Sequence, residues 1–311
     1  MQYKKDFESK KNMIKPLLTK GGKILNFTHI DMDGIGANIA LSKRLPNVIK
    51  IEVNYYDVDD RITRFDLNEY DAVIFTDICP NTSLPYLKGF KNVIVLDHHD
   101  TALDCHDIEN NVFVYNEISG SKLTHEFIKS MFGESKQTQE IQELIDIIND
   151  YDLWIHANPK SRYFNWLYNK YKSDEFKSRF FSGETKLLND EKKYIQDQYN
   201  IIRNTFHNLE LFDFSKVNGA MFFTSDYIND LSEMVLDKFK YDFIVIVNPT
   251  NFHASVRSVG KFYTGEMLKA LGIGGGHRHA GGFRCADEKS LKTNLEMIEE
   301  YANRFYKFSR K

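Results

Sequence analysis

Residues 26–36 read NFTHIDMDGIG, which sets His29, Asp31 and Asp33 on alternate positions directly after the apolar run KILNF. Two more apolar runs end in the same way. AVIFTD closes on Asp77, and VIVLDHH closes on Asp97, His98 and His99. Carboxylates gathered at one place repel unless cations sit among them; a divalent ion removes that penalty and keeps them ionised. Aspartate and histidine without thiolates suit Mn²⁺ best and Mg²⁺ less well, with Zn²⁺ or Fe as further options. Five or more candidate ligands exceed what one ion needs. Two ions roughly 3.5 to 4 Å apart, bridged by a carboxylate, are the usual device for in-line attack at phosphorus. Each run alone has a plainer reading, because Asp and Gly are ordinary turn residues. Three such endings in succession point to one shared site.

Side chains so far apart in sequence converge only if a fold collects the strand ends. The runs KILNF, VIKIEVNYY, DAVIFTD, NVIVLDHH and NVFVYN read as buried parallel strands, with helix-compatible stretches between some of them. This spacing predicts βαβ units and a doubly wound sheet, in which ligands gather beyond the carboxyl ends of the strands. Alternation would then point His29, Asp31 and Asp33 to one side, or fan them about one point if the strand breaks at Gly34. Ser119 or Ser121 could cap a helix over SKLTHEFIKSMF, and QEIQELIDIIND has helical spacing of its apolar residues. Residues 160–181 hold six Lys or Arg and eight aromatics. They could form a stacking and phosphate-steering surface or an amphipathic helix with its aromatics turned inward. A connecting helix is expected over 187–209. Beyond it, GAMFFT, DFIVIVNP and FHASVRSV read as strands, TGEMLKALG as a helix, GIGGGHRHAGGF as a loop, and 288–308 as a last helix.

With 311 residues the chain can bury two cores. Its net charge of −3 argues against broad, sequence-blind duplex binding, although a local basic patch is compatible with it. Cys79, Cys105 and Cys285 lie far apart without CxxC spacing, which suggests a reducing compartment; with no apolar run long enough to span a bilayer, the expected location is cytoplasmic, away from membranes. Cys105 and His106 match no usual zinc spacing.

Taken together, THIDMDG, FTD, DHH and GGGHRHAGGF resemble the motifs of the DHH phosphoesterase superfamily, which contains RecJ-like exonucleases, nanoRNases and dinucleotide phosphodiesterases. The resemblance runs from about residue 23 to 300. It implies an α/β fold: an N-terminal doubly wound, mainly parallel sheet (the DHH catalytic domain, 1–186), a helical linker (187–210), and a smaller C-terminal α/β DHHA1-like substrate-binding domain (211–311). It also implies ligand sets. His29, Asp31 and Asp77 would hold one metal; Asp33, Asp77, His98 and a fourth-motif aspartate would hold the other. Asp150 is the expected fourth-motif residue, with Asp152 and Asp146 as alternatives. Asp97 would orient the histidines and His99 would face the scissile phosphate. In the second domain, Gly275, Gly276, His277 and Arg257 would contact substrate, since bare backbone N–H groups and a guanidinium both grip phosphate. One departure is HAGG where the family often has AAG.

The expectation is therefore a hydrolase with two Mn²⁺ ions, or Mg²⁺, that degrades short single-stranded oligonucleotides or dinucleotides to mononucleotides. Rival readings are an exonuclease on longer single-stranded DNA or RNA, with 160–181 as its track, and a nucleotide sensor without hydrolysis. RNA against DNA, polarity and oligomeric state stay open, a homodimer being one option.

Overall fold

The computed structural model describes residues 1–80, 82–276 and 278–306. The chain forms two compact units, Met1–Ile195 and Gln196–Lys311.

In the first unit the strands are β1 (Ile24–His29), β2 (Val48–Val53), β3 (Ala72–Thr76), β4 (Val93–Asp97) and β5 (Val112–Val114). They form one sheet in the order β2-β1-β3-β4-β5, with every pairing parallel. The helices are α1 (Gln2–Thr19), α2 (Met32–Arg44), α3 (Val58–Ile62), α4 (Leu84–Leu87), α5 (Gly120–Phe132), α6 (Lys136–Glu140), α7 (Gln142–Asp152) and α8 (Lys160–Phe180). Strand alternation sorts the apolar residues onto two covered faces. Ile24, Ile74, Ile94 and Leu96 pack with Phe7, Leu41 and Phe127. Leu25, Phe27, Val73, Phe75, Val93 and Val95 pack with Val58, Ile62 and Leu87 on the other side. A parallel sheet needs this double cover, which is why its strands read as unbroken apolar runs. The doubly wound α/β expectation describes the sheet as found.

The order reverses at β1, with β2 on one flank and β3 on the other. Open α/β sheets bind ligands beyond the carboxyl ends at such a switch point. Here those ends are His29, Thr76 and Asp97.

Residues 160–181 are settled by packing. Phe164, Phe176 and Phe180 are fully buried and their rings meet, Phe180 lying 4.7 Å from each of the other two. These aromatics are core, and α8 breaks at Lys172, whose φ is 58°.

The helix expected over 187–210 is α9 (Asn189–His207), and the division between units falls inside it. The second unit continues with β6 (Phe212–Asp213), β7 (Gly219–Phe223), α10 (Ile228–Phe239), β8 (Phe243–Val247), β9 (His253–Ser258), α11 (Thr264–Ala270), β10 (Gly274–Gly276), β11 (Ala280–Arg284) and α12 (Glu288–Tyr306). Its sheet runs β10-β11-β9-β8-β7-β6, with only β7 and β8 parallel. One element differs from the sequence reading. Within the glycine-rich stretch expected to be a loop, Gly274–Gly276 and Ala280–Arg284 are antiparallel strands, pairing Gly275 with Gly282 and Gly276 with Gly281. Glycine composition reads as turn because the entropy cost falls on the strand, yet β11 is held by a second ladder to β9.

Candidate metal centre

The site is assembled from the ends of three strands and the starts of two helices. After β1 the chain turns at Asp31, whose Oδ1 accepts from the Gly34 N–H at 2.9 Å and so caps α2. The break therefore comes at Asp31, ahead of Gly34. A Cβ at Gly34 would stand 2.1 Å from the His29 carbonyl oxygen, so only glycine allows α2 to start this close to β1. Asp33, in the first turn of α2, accepts the Ser121 N–H at 3.1 and 3.2 Å and thereby ties α2 to the start of α5. The positive ends of two helices face these carboxylates, which favours negative charge there. Beneath them Asn26 donates to Thr76 (3.0 Å), Thr76 to Thr28 (2.9 Å), and Thr28 to the Gly34 carbonyl (2.7 Å). This fully buried chain of hydrogen bonds fixes β1, β3 and α2 to one another.

Asp77 follows β3 with φ of 59°, a conformation that non-glycine residues adopt at a cost of about 1 kcal/mol or more and that is typical of functional sites. Its two oxygens lie between two histidines: Oδ1 is 3.1 Å from His98 Nε2 and Oδ2 is 3.6 Å from His29 Nδ1. His29 Nδ1 is also 3.0 Å from Asp31 Oδ2. His98 Nε2 reaches Asp152 Oδ2 at 3.4 Å and Asp33 Oδ2 at 3.8 Å. Among the described residues, His29/Asp31/Asp77, Asp33/His98/Asp152 and Asp77/His98/His99 each bring three donor atoms within 4.8 Å of one another.

Several of these atoms are buried without a hydrogen-bond partner: His29 Nδ1, both oxygens of Asp77, His98 Nε2 and Asp152 Oδ2. Buried polar atoms normally have partners, so a cluster of orphans on one site fits a set of metal ligands. Electrostatics agree. Burial, then the charges of Asp31 and Asp33, push the Asp77 carboxyl well above its usual range. Burial and then Asp33 act in the same sense on Asp152. Burial would lower the His29 imidazole, but Asp31 and Asp77 outweigh it and push it up to about 11. A proton on His29 thus supplies positive charge that a divalent ion would supply better, and the donor set fits such an ion.

A family model, the N-terminal domain of the DHH family, matches residues 23–149. Residues 23–149 therefore carry a DHH-family N-terminal domain. No curated protein matches it. Among solved structures, RecJ from Thermus thermophilus in complex with Mn²⁺ aligns at 16% identity and TM-score 0.66, covering 97% of this chain and 55% of RecJ. This chain thus spans about half of that RecJ's length. The DHH domain of a member of a family of ribosomal proteins aligns at 14% identity and TM-score 0.68, covering 97% and 91% of the two chains. A pGpG-specific phosphodiesterase from a Vibrio aligns at 14% and TM-score 0.51, covering 89% and 98%. At these identities the likeness is one of fold.

Within the DHH fold, His29, Asp31, Asp33, Asp77 and His98 meet as the sequence suggested. Asp97 sits behind them, accepting from the His98 N–H at 2.8 Å and lying 2.7 Å from His99 Nδ1. Asp150 is not brought to the cluster. Its carboxylate accepts the Ala157 and Asn158 N–H groups at 3.0 and 3.2 Å, and Asp152 stands at the site in its place. Two positions on a helix are about 200° apart, so α7 cannot offer both to one point. Asp146 is engaged elsewhere, with Lys122 and Gln142.

In the second unit, Gly275 and Gly276 lie on β10, and Arg257 on β9 pairs with Ala280. The Arg257 guanidinium donates to Asn229 Oδ1 at 2.9 Å. His277 lies outside the described residues. Sequence reasoning missed Gly120, where a Cβ would stand 2.6 Å from the Asp77 Cβ and 2.9 Å from an Asp33 oxygen. It also missed Tyr55, whose hydroxyl is 2.6 Å from His99 Nε2. A glycine just after a candidate N-cap was the available signal for the first.

Proposed function

We propose that this DHH protein is a two-metal phosphodiesterase acting on short single-stranded oligonucleotides or dinucleotides, with Mn²⁺, or Mg²⁺ in its place. The observation that carries this reading is the set of orphaned, buried donor atoms with Asp77 reaching both histidines. His29, Asp31 and Asp77 would hold one ion; Asp33, Asp77, His98 and Asp152 the other. Bound there, divalent ions supply Lewis acidity, lowering the pKa of water and neutralising charge on phosphate. The protein's own part is positional. Asp97 fixes the His98 backbone and the His99 ring, and His99 would face the phosphate. Arg257, Gly275, Gly276 and His277 would hold the nucleotide or phosphate of the substrate.

Neighbours support the class: one is a RecJ with Mn²⁺ and another a phosphodiesterase specific for pGpG. Short substrates are favoured over long ones because Phe164, Phe176 and Phe180 are core, leaving residues 160–181 without those rings as a stacking track. The test is a Mn²⁺-supplemented series from two to about 20 nucleotides, with products identified by mass. Rates should fall with length. Rates that rise with length would favour the long-strand exonuclease, and tight binding without product would favour a sensor.

The motif at 29–33 divides between the two ions, which gives a second expectation. Asp31→Ala and Asp33→Ala should each leave one Mn²⁺ per chain, counted by mass spectrometry under native conditions. Asp31→Ala should also cost about 1 kcal/mol of stability, because its Oδ1 caps α2. Loss of both ions, or of neither, from either variant would remove the division.

A further inference from the structure

We propose that Tyr55 is a positioning residue for His99, holding the imidazole from the side opposite Asp97; this rests on the phosphodiesterase reading for its catalytic consequence only. His99 Nδ1 lies 2.7 Å from Asp97 Oδ1, and Nε2 lies 2.6 Å from the Tyr55 hydroxyl. Asp97 Oδ1 is itself fixed by the His98 N–H at 2.8 Å. Both ring nitrogens thus have a partner, the Asp97 carboxylate at Nδ1 and the tyrosine hydroxyl at Nε2. This arrangement also removes His99 Nδ1 from the ligand count, because the same atom cannot serve Asp97 and an ion. Nε2 is held in turn by Tyr55, so the two hydrogen bonds together set the plane in which the His99 ring is presented.

Tyr55 is mounted to do this. It follows β2, whose Val53 is paired with His29. The turn carrying it is locked: Asp57 Oδ1 accepts the Asn54 N–H at 2.6 Å, and the Asn54 carbonyl accepts from Asp57 and Val58 at 3.1 and 2.9 Å. The Tyr55 ring lies 4.9 Å from the His29 ring and 5.3 Å, edge-on, from that of His99. It is 43% exposed, so it walls the site without belonging to the core. A rotatable imidazole clamped at both nitrogens enters the reaction already oriented, which is where a remote hydrogen bond acts on turnover.

The test is Tyr55→Phe, which keeps the ring and removes the hydroxyl, in the full chain with Mg²⁺ for spectroscopy and Mn²⁺ for kinetics. The His99 Nε2 signal in long-range ¹⁵N spectra should shift, and the Mn²⁺-induced rise in melting temperature should stay as in wild type. With a dinucleotide substrate, kcat should fall about tenfold with KM within about twofold, the size expected for one well-placed hydrogen bond. In a His99→Ala background the same change should cost nothing more. An unmoved Nε2 signal, an unchanged kcat, or a full additional loss on top of His99→Ala would overturn the proposal. If the signal moves but wild type turns over no phosphodiester, Tyr55 still holds His99 and it is the phosphodiesterase reading that fails.

Discussion

Asp77→Asn should lose about a thousandfold in turnover, the rate equivalent of the several kcal/mol a bound ion contributes, while melting without divalent ions at or above the wild-type temperature. The two halves of this expectation come from the same geometry. Asp77 is fully buried, faces His98 at 3.1 Å and His29 at 3.6 Å, and has both oxygens orphaned. Burial and the neighbouring Asp31 and Asp33 already push its carboxyl toward the protonated form. A neutral amide of the same shape therefore removes a repulsive charge from the metal-free fold at little cost in packing. The same amide is a poor bridging ligand. Wild type should gain roughly 5 to 10 °C of melting temperature at Mn²⁺ concentrations about a hundredfold above Kd, and Asp77→Asn should gain almost none. Near-normal turnover, or a preserved Mn²⁺ increment, would end the two-ion proposal.

The parts of this protein legible in its sequence are those where one residue pattern has one physical outcome. Val73, Ile74 and Phe75 must be covered on both sides, so a parallel sheet followed, and with it the convergence of His29, Asp77 and His98 at the switch point. Where two outcomes share a pattern, composition could not decide. Gly274–Gly276 reads as loop, yet a partner strand turned it into β10. Residues 160–181 read better as an inward-packed helix, although a track also fits the pattern; packing places Phe164, Phe176 and Phe180 inside. Tyr55 left no trace at all. Its role depends on a turn that brings it to a histidine 44 residues away, and no local spacing encodes that. Gly120 is intermediate, since its constraint comes from Asp77, distant in sequence, while its place after Ser119 is a local signal.

The two aspartates near the end of α7 separate structure from chemistry. Asp152→Ala should remove one metal and cost about a hundredfold or more in turnover, while Asp150→Ala should keep both metals and lose roughly 1 to 3 kcal/mol of stability. Asp150 follows the apolar run of Ile145, Ile147 and Ile148, which drew the sequence reading to it, and in the structure it is almost as buried as they are. That burial serves the backbone. The helix ends at Asp152, and residues 153–158 turn back so that the Ala157 and Asn158 N–H groups reach the Asp150 carboxylate. Without it, two backbone N–H donors lose their acceptor, and the turn that follows Asp152 loosens. Asp152 has the opposite character: its Oδ2 is buried with no hydrogen-bond partner and lies 3.4 Å from His98 Nε2. Burial together with Asp33 raises its carboxyl, a state that a cation reverses and a structural role does not require. Metal stoichiometry under native conditions, read beside denaturant unfolding, separates the two. An Asp150→Ala variant that lost a metal at unchanged stability, or an Asp152→Ala variant that kept both, would return the fourth ligand to Asp150.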